Sequence, residues 1–118
     1  MSIAANVVVG LIAVLHVYFL VLEMFLWDKP AGLRAFGQTR EKAAASKVLA
    51  ANQGLYNGFL AAGLVWGLLL GEAGTSVKIF FLTCVLIAGL YGAATASRKI
   101  LFIQAIPAAL GLALVLLS

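Results

Sequence analysis

Apolar positions run along this chain in four long blocks, and short polar stretches separate them. The first block runs from Ile3 to about Trp27, interrupted by Asn6, His16 and Glu23, and Asp28-Lys29-Pro30 ends it. The second runs from about Lys47 to Leu70 and stops at Gly71-Glu72-Ala73-Gly74. Its helix has scope to begin near Arg40, in the good helix formers Glu41 to Ala45. The third runs from Lys78 to Ser97, and Arg98-Lys99 divide it from the fourth, which starts at Ile100. A hydrocarbon core takes about 20 helical residues to cross. Backbone groups in lipid must bond within their own segment, so each block is expected to be helical. The pattern predicts an all-α integral membrane four-helix bundle. It forms one domain over residues 1–118, with spans at about 3–27, 47–70, 78–97 and 100–118.

Composition agrees with that pattern. Of 118 residues, 64% are apolar and 10% charged, against about 25% charged in soluble domains. A soluble fold of this size lacks the polar residues to cover its surface. The net charge of +4 does not imply nucleic acid, because the basic residues flank apolar blocks as cytoplasmic loops do. The first loop holds Lys29, Arg34, Arg40, Lys42 and Lys47, and the last turn holds Arg98 and Lys99. These are seven of the eight basic residues, on one side, and Lys78 is alone on the other. The positive-inside rule then places both termini outside the cytoplasm of a cell (inner) membrane.

Other signals narrow the class. The single Cys84 excludes an internal disulfide and a cysteine-rich metal site. No basic n-region precedes the first block, so no cleaved signal peptide is expected. Ser2 and the Leu-Leu-Ser ending match no lipidation pattern. Leu33 and Phe36 flank Arg34 in the first loop, which leaves two readings open, an interfacial amphipathic piece and a mobile loop.

The candidate chemistry lies in polar residues at lipid depth. A charge at mid-bilayer costs at least about 2.5–3.5 kcal/mol, so such residues usually face helices or a cavity. His16 and Glu23 are seven apart, about 20° around one helix. Trp27 shares their stripe and is expected to anchor the cytoplasmic interface. Glu23 is then about 6 Å deep and His16 about 16 Å deep. The second block brings Asn52, Gln53, Tyr56 and Asn57, with Gln53 and Asn57 sharing a face at i, i+4. Tyr91 and Thr95 follow in the third block, and Gln104 in the fourth. Pro107 removes a donor there and is expected to kink the helix. Apart from Asn6, the outer half is apolar. The asymmetry predicts a polar pocket open to the cytoplasm, formed by these residues. The bland alternatives are a snorkelling Glu23 paired with a loop cation and amides that serve only as interhelical glue. Gly54, Gly58, Ala88, Gly89, Gly92 and Ala93 form small-xxx-small pairs, which suit bundle packing or a homo-oligomer interface.

Four stretches carry a family likeness. They are His16-Val-Tyr-Phe-Leu-Val-Leu-Glu23-Met-Phe-Leu-Trp27, Asn52-Gln53-Gly54-Leu55-Tyr56-Asn57-Gly58-Phe59-Leu60, Ala88-Gly89-Leu90-Tyr91-Gly92-Ala93-Ala94-Thr95 and Gln104-Ala105-Ile106-Pro107-Ala108. Over nearly its whole length the chain resembles the domain-of-unknown-function 1304 family of small membrane proteins. The resemblance implies four spans and supplies no activity, cofactor or catalytic residue. Some members are labelled epimerases, but no Gly-rich dinucleotide fingerprint follows a strand here.

No metal or cofactor is expected. Zinc asks for about three protein ligands, and Cys84 lies far in depth from Glu23. A second strong haem ligand, a Ser-His-Asp set and a phosphate-binding loop are all missing. Three readings stand. The favoured one is transport or binding of a proton, cation or small polar solute, which in so small a chain requires a homodimer or larger assembly. The second is an intramembrane acid/base enzyme, isomerase-like, on a lipid-like substrate. The third is a structural or accessory membrane protein. His16 and Glu23 are about 10 Å apart along the helix, too far to share one proton transfer directly. Apart from the bilayer, a possible homodimer or higher oligomer, and a small-molecule or lipid-like ligand, no partner is implied.

Overall fold

A computed structural model describes residues 2–118, and the described residues are all helix and connection, without a strand. The order is α1 (Ile3–Met24), α2 (Pro30–Phe36), α3 (Arg40–Leu69), a 3-10 turn (Gly71–Gly74), α4 (Thr75–Thr95), a π-helical turn (Leu101–Ala105) and α5 (Ile106–Leu117). Two stretches, Ile3–Met24 with 22 residues and Gly71–Thr95 with 25, are long and apolar enough to cross a membrane. The apolar stretch Leu101–Leu117 is shorter. The 30-residue α3 is long enough, but it opens on charged residues and carries Asn52, Gln53 and Asn57 near its middle, which lowers its hydropathy.

Local chemistry explains the boundaries. The α1 ladder loosens at its end, where Leu26 N–H returns to Val21 O at 3.2 Å, and Pro30 disfavours helix in the residue before it. The first loop is largely helical. Pro30 opens α2, where a missing N–H costs nothing, and Gly37 closes it in the left-handed conformation (φ 58, ψ 43). Gln38 N–H bonds back to Leu33 O at 3.1 Å, closing the turn as a Schellman motif does. Thr39 caps α3, its hydroxyl accepting from Lys42 N–H at 3.2 Å, so α3 begins seven residues before Lys47. Before Pro107, Ile106 N–H reaches back five residues to Leu101 O. A wide turn of this kind relieves the clash a proline imposes on the carbonyl four residues earlier.

The contacts divide the chain into two compact units, one made of the chain up to Val14 together with Leu60–Ser118, the other of Leu15–Phe59. The first has an apolar core of Ala5, Val9, Ile12 and Ala13 from α1, Leu64 from α3, Leu82 and Val85 from α4, and Ala108 and Val115 from α5. In it the Ser2 and Ser118 hydroxyls lie 3.1 Å apart. In the second unit, α1 and α3 run against each other with α2 in their connection. A Cβ on Gly54 would meet Met24 Cγ at 2.6 Å, Glu23 Cβ at 3.1 Å and Leu20 O at 3.2 Å, so the two backbones approach over Gly54.

Candidate functional site

The approach at Gly54 sets the geometry of the acid. Glu23 on α1 is 7% exposed. Asn57, one turn beyond Gly54 on α3, donates its Nδ2 hydrogen to Glu23 Oε1 at 2.5 Å. A neutral amide thus holds a carboxyl inside a helix pair. His16, two turns back on α1, is fully buried, and its ring stands edge-on to Phe19 with centroids 5.4 Å apart. The rise between His16 and Glu23 along the helix is about 10 Å.

The other candidates of this unit are placed differently. Asn52 is exposed and donates to the Val48 carbonyl of its own helix at 2.9 Å. Gln53 is also exposed. Tyr56 is 64% exposed and makes an edge-to-face pair with Phe59 at 6.0 Å. Trp27 is half-buried. Its indole N–H donates to Ser46 Oγ at 3.2 Å, and its ring lies 4.8 Å from that of Phe36. Beside it Lys47 Nζ pairs with Asp28 Oδ2 at 3.1 Å, and that hydrogen bond holds the Asp28 carboxyl below the usual aspartate range.

In the first unit, Tyr91 is 72% exposed. Thr95 donates to Tyr91 O at 2.7 Å, within α4. Gln104 donates to Val85 O at 3.1 Å, tying the π-helical turn to α4. Gly89 makes that approach possible, since a Cβ there would lie 2.9 Å from Ala105 N. The structure therefore joins Glu23 and Asn57 by a bond, sets His16 in the interior beside Phe19, commits Gln104 to a helix contact, and leaves Asn52, Gln53, Tyr56, Tyr91 and Thr95 outward.

One buried cation escaped the sequence reading. Lys78 was expected to flank the third span, yet it is fully buried and its Nζ donates to Asn6 Oδ1 at 3.0 Å. Its stem packs where a Cβ on Gly67 would lie 2.8 Å from Lys78 Cγ. Asn6 and Lys78 each sit three residues into their helices, which start at Ile3 and Thr75, and only the fold brings the two together.

An open cleft of about 290 Å³ lies in the first unit, lined by Trp66, Ser76, Val77, Phe80 and Phe81, and its walls are apolar. Among the described residues no group of three His, Cys, Asp or Glu side chains is placed to hold a metal ion.

A family model described as "Protein of unknown function (DUF1304)" matches residues 10–116. The chain is also similar to "Uncharacterized protein YpaA" of Lactococcus lactis subsp. lactis (strain IL1403), at 29% identity over 106 residues, covering 88% of this chain and 89% of that relative. No solved structure matches.

Proposed function

The chain belongs to the DUF1304 family, and from that premise we propose that it is a four-span inner-membrane protein that binds and releases a proton at Glu23 while carrying a small polar solute or cation. One observation carries the reading, the carboxyl of Glu23 buried between α1 and α3 with a neutral amide as its hydrogen-bond partner. Ionisable groups held inside membrane helices mark ion and proton pathways far more often than surface groups do. The burial of Glu23, 7% exposed, favours a proton over a larger ligand at the carboxyl. Placement across the bilayer is supported by the two long apolar stretches, by Trp27 at the end of the α1–α3 pair, and by the basic residues gathered in the first loop and last turn. The gathering of basic residues supports a topology with both termini outside the cytoplasm.

The close contact at Gly54 favours a second reading, in which the Glu23–Asn57 bond only fixes helix pairing. Proton flux separates the two. Purified protein in liposomes loaded with a pH-sensitive dye is driven by a potassium diffusion potential. Under the proposal, wild type acidifies or alkalises the lumen and Glu23→Gln does not, while both keep the same helical circular dichroism. Equal flux in the two proteins, or none in wild type, refutes proton exchange and leaves the clamp.

A further inference from the structure

Helix α3 has a second polar face that the Glu23 contact does not use. Around the helix axis Asn57 lies about 60° from Gly54, Gln53 about 100°, and Asn52 and Tyr56 about 160° on either side of the opposite pole. Leu49, Asn52, Gln53, Tyr56 and Phe59 therefore form one outward stripe at helical spacing. Leu49 is 74% exposed, Tyr56 64% and Phe59 55%, and both amides are exposed too. Gln53 stands about 9 Å beyond Lys47 along the helix and Tyr56 about 13 Å, well inside a hydrocarbon core.

We propose that this face seats the same face of a second copy of the chain, with the Asn52 and Gln53 carboxamides hydrogen-bonding across a twofold axis. It rests on the membrane-spanning reading and not on proton exchange at Glu23. Lipid offers no hydrogen bond to an amide, so facing it Gln53 would be left without a partner and Asn52 with only the Val48 carbonyl of its own helix. A carboxamide carries both donor and acceptor, so a face bearing two of them is complementary to itself, as a twofold contact requires. Asn52 has spent one amide hydrogen on Val48 O, and its Oδ1 remains an acceptor. The Tyr56–Phe59 pair adds apolar area beside the amides. Charge does not oppose the contact, because Lys47, the nearest cation, is already paired with Asp28. The glycines that could have served a dimer are taken within the chain. Gly54 and Gly58 lie against Leu20, Gly63 under the Phe81 ring, and Gly89 against Ala105.

Oxidative cross-linking tests this in lipid. In a Cys84→Ser background, Gln53→Cys and Tyr56→Cys are reconstituted at high lipid-to-protein ratio beside the exposed controls Val14→Cys and Phe102→Cys. The expected result is a disulfide dimer in most of the Gln53→Cys and Tyr56→Cys protein and little in the controls. Adding Asn52→Leu and Gln53→Leu to Tyr56→Cys should reduce the dimer severalfold without loss of helical circular dichroism. Equal cross-linking at the controls indicates random collision and overturns the proposal. A monomer at every position overturns it as well, and assigns the stripe to a solute or to bound water. Alkaline carbonate extraction of native membranes is run in parallel. Protein that leaves the membrane refutes the spanning reading and the dimer with it, whereas protein that stays while Gln53→Cys fails to cross-link refutes the dimer alone.

Discussion

Two glycines one turn apart on α3 should respond differently to the same substitution. Gly54 is buried, and a Cβ there would sit 2.6 Å from Met24 Cγ, 3.1 Å from Glu23 Cβ and 3.2 Å from the Leu20 carbonyl oxygen. None of those atoms is a free side-chain tip, and one is backbone, so α3 has to move off α1. Overpacking of this kind costs about 1–3 kcal/mol. The move also lengthens the Asn57–Glu23 hydrogen bond, which contributes about 0.5–1.5 kcal/mol while intact. Alanine returns about 1 kcal/mol of helix propensity. Gly54→Ala is therefore expected to destabilise by about 1–2 kcal/mol, a factor of roughly 5–30 in the folded-to-unfolded ratio. At Gly58 the conflict is with the Leu20 Cδ1 methyl at 2.7 Å, the next atom being Cγ at 4.0 Å. A rotamer change clears that methyl, so Gly58→Ala should be neutral or stabilising by up to about 1 kcal/mol. The midpoint of unfolding by sodium dodecyl sulfate in mixed micelles, followed by far-ultraviolet circular dichroism, measures both. Coincident midpoints for the two variants, or Gly54→Ala above wild type, would refute the close α1–α3 contact and the site built on it.

Two further outcomes check other parts of the structure. Lys78→Ala loses the stem packing at Gly67 and the bond to Asn6, so it should destabilise by about 2–4 kcal/mol, whereas Lys78→Met keeps most of the packing and should cost about 1–2 kcal/mol less; equal midpoints would contradict a buried stem. Lys47 holds the folded-state pKa of Asp28 below its unfolded value, so their pairing adds stability above the ordinary aspartate pKa of about 3.9 and loses it as pH falls through the folded value. Carboxyl carbon NMR should find the Asp28 midpoint below the ordinary value and raised in Lys47→Met, and an unmoved midpoint would show that the pair does not persist in solution.

Helix content was legible because it depends on properties a sequence carries locally. Runs of apolar residues, Pro30 and Gly37 punctuating the first loop, and Thr39 ahead of Arg40 all act within a turn of their own position. The stretch from Leu33 to Phe36, open between an interfacial piece and a mobile loop, is helical, though the packing of Trp27 on Phe36 required the chain to fold back. The π-helical turn was only half visible. Pro107 announces that a carbonyl must be relieved, but how the ladder widens depends on Gly89 and Val85 across the contact. Lys78 was misread for a related reason. A lysine near a helix start looks like a flank, and only a partner 72 residues away, Asn6, turns it inward.

The division of polar residues on α3 has a more general cause. Depth along a helix follows from residue count, and on depth alone Gln53, Tyr56 and Asn57 resemble one another. Azimuth needs a reference, and the i, i+4 relation of Gln53 and Asn57, about 40° apart, does not say which of the two lies nearer the neighbouring helix. The correct reference lay in the same eight residues. Glycines mark where another backbone comes close, so angles measured from Gly54 place Asn57 at about 60°, Gln53 at about 100° and Asn52 and Tyr56 at about 160°. That order is the order of engagement. Asn57 bonds Glu23 across the contact, Gln53 lies past its edge, and Asn52 and Tyr56 face away. If Gly54 and Gly58 are what orient α3, then moving the glycines, and not the amides, should decide which amide meets Glu23. A chain carrying Gly54→Ala together with Leu55→Gly would turn α3 by about 100°, leave Asn57 about 160° from the contact and break its bond to Glu23. Loss of proton flux in that variant with helix content intact would tie the polar site to the glycine contact, and unchanged flux would separate them.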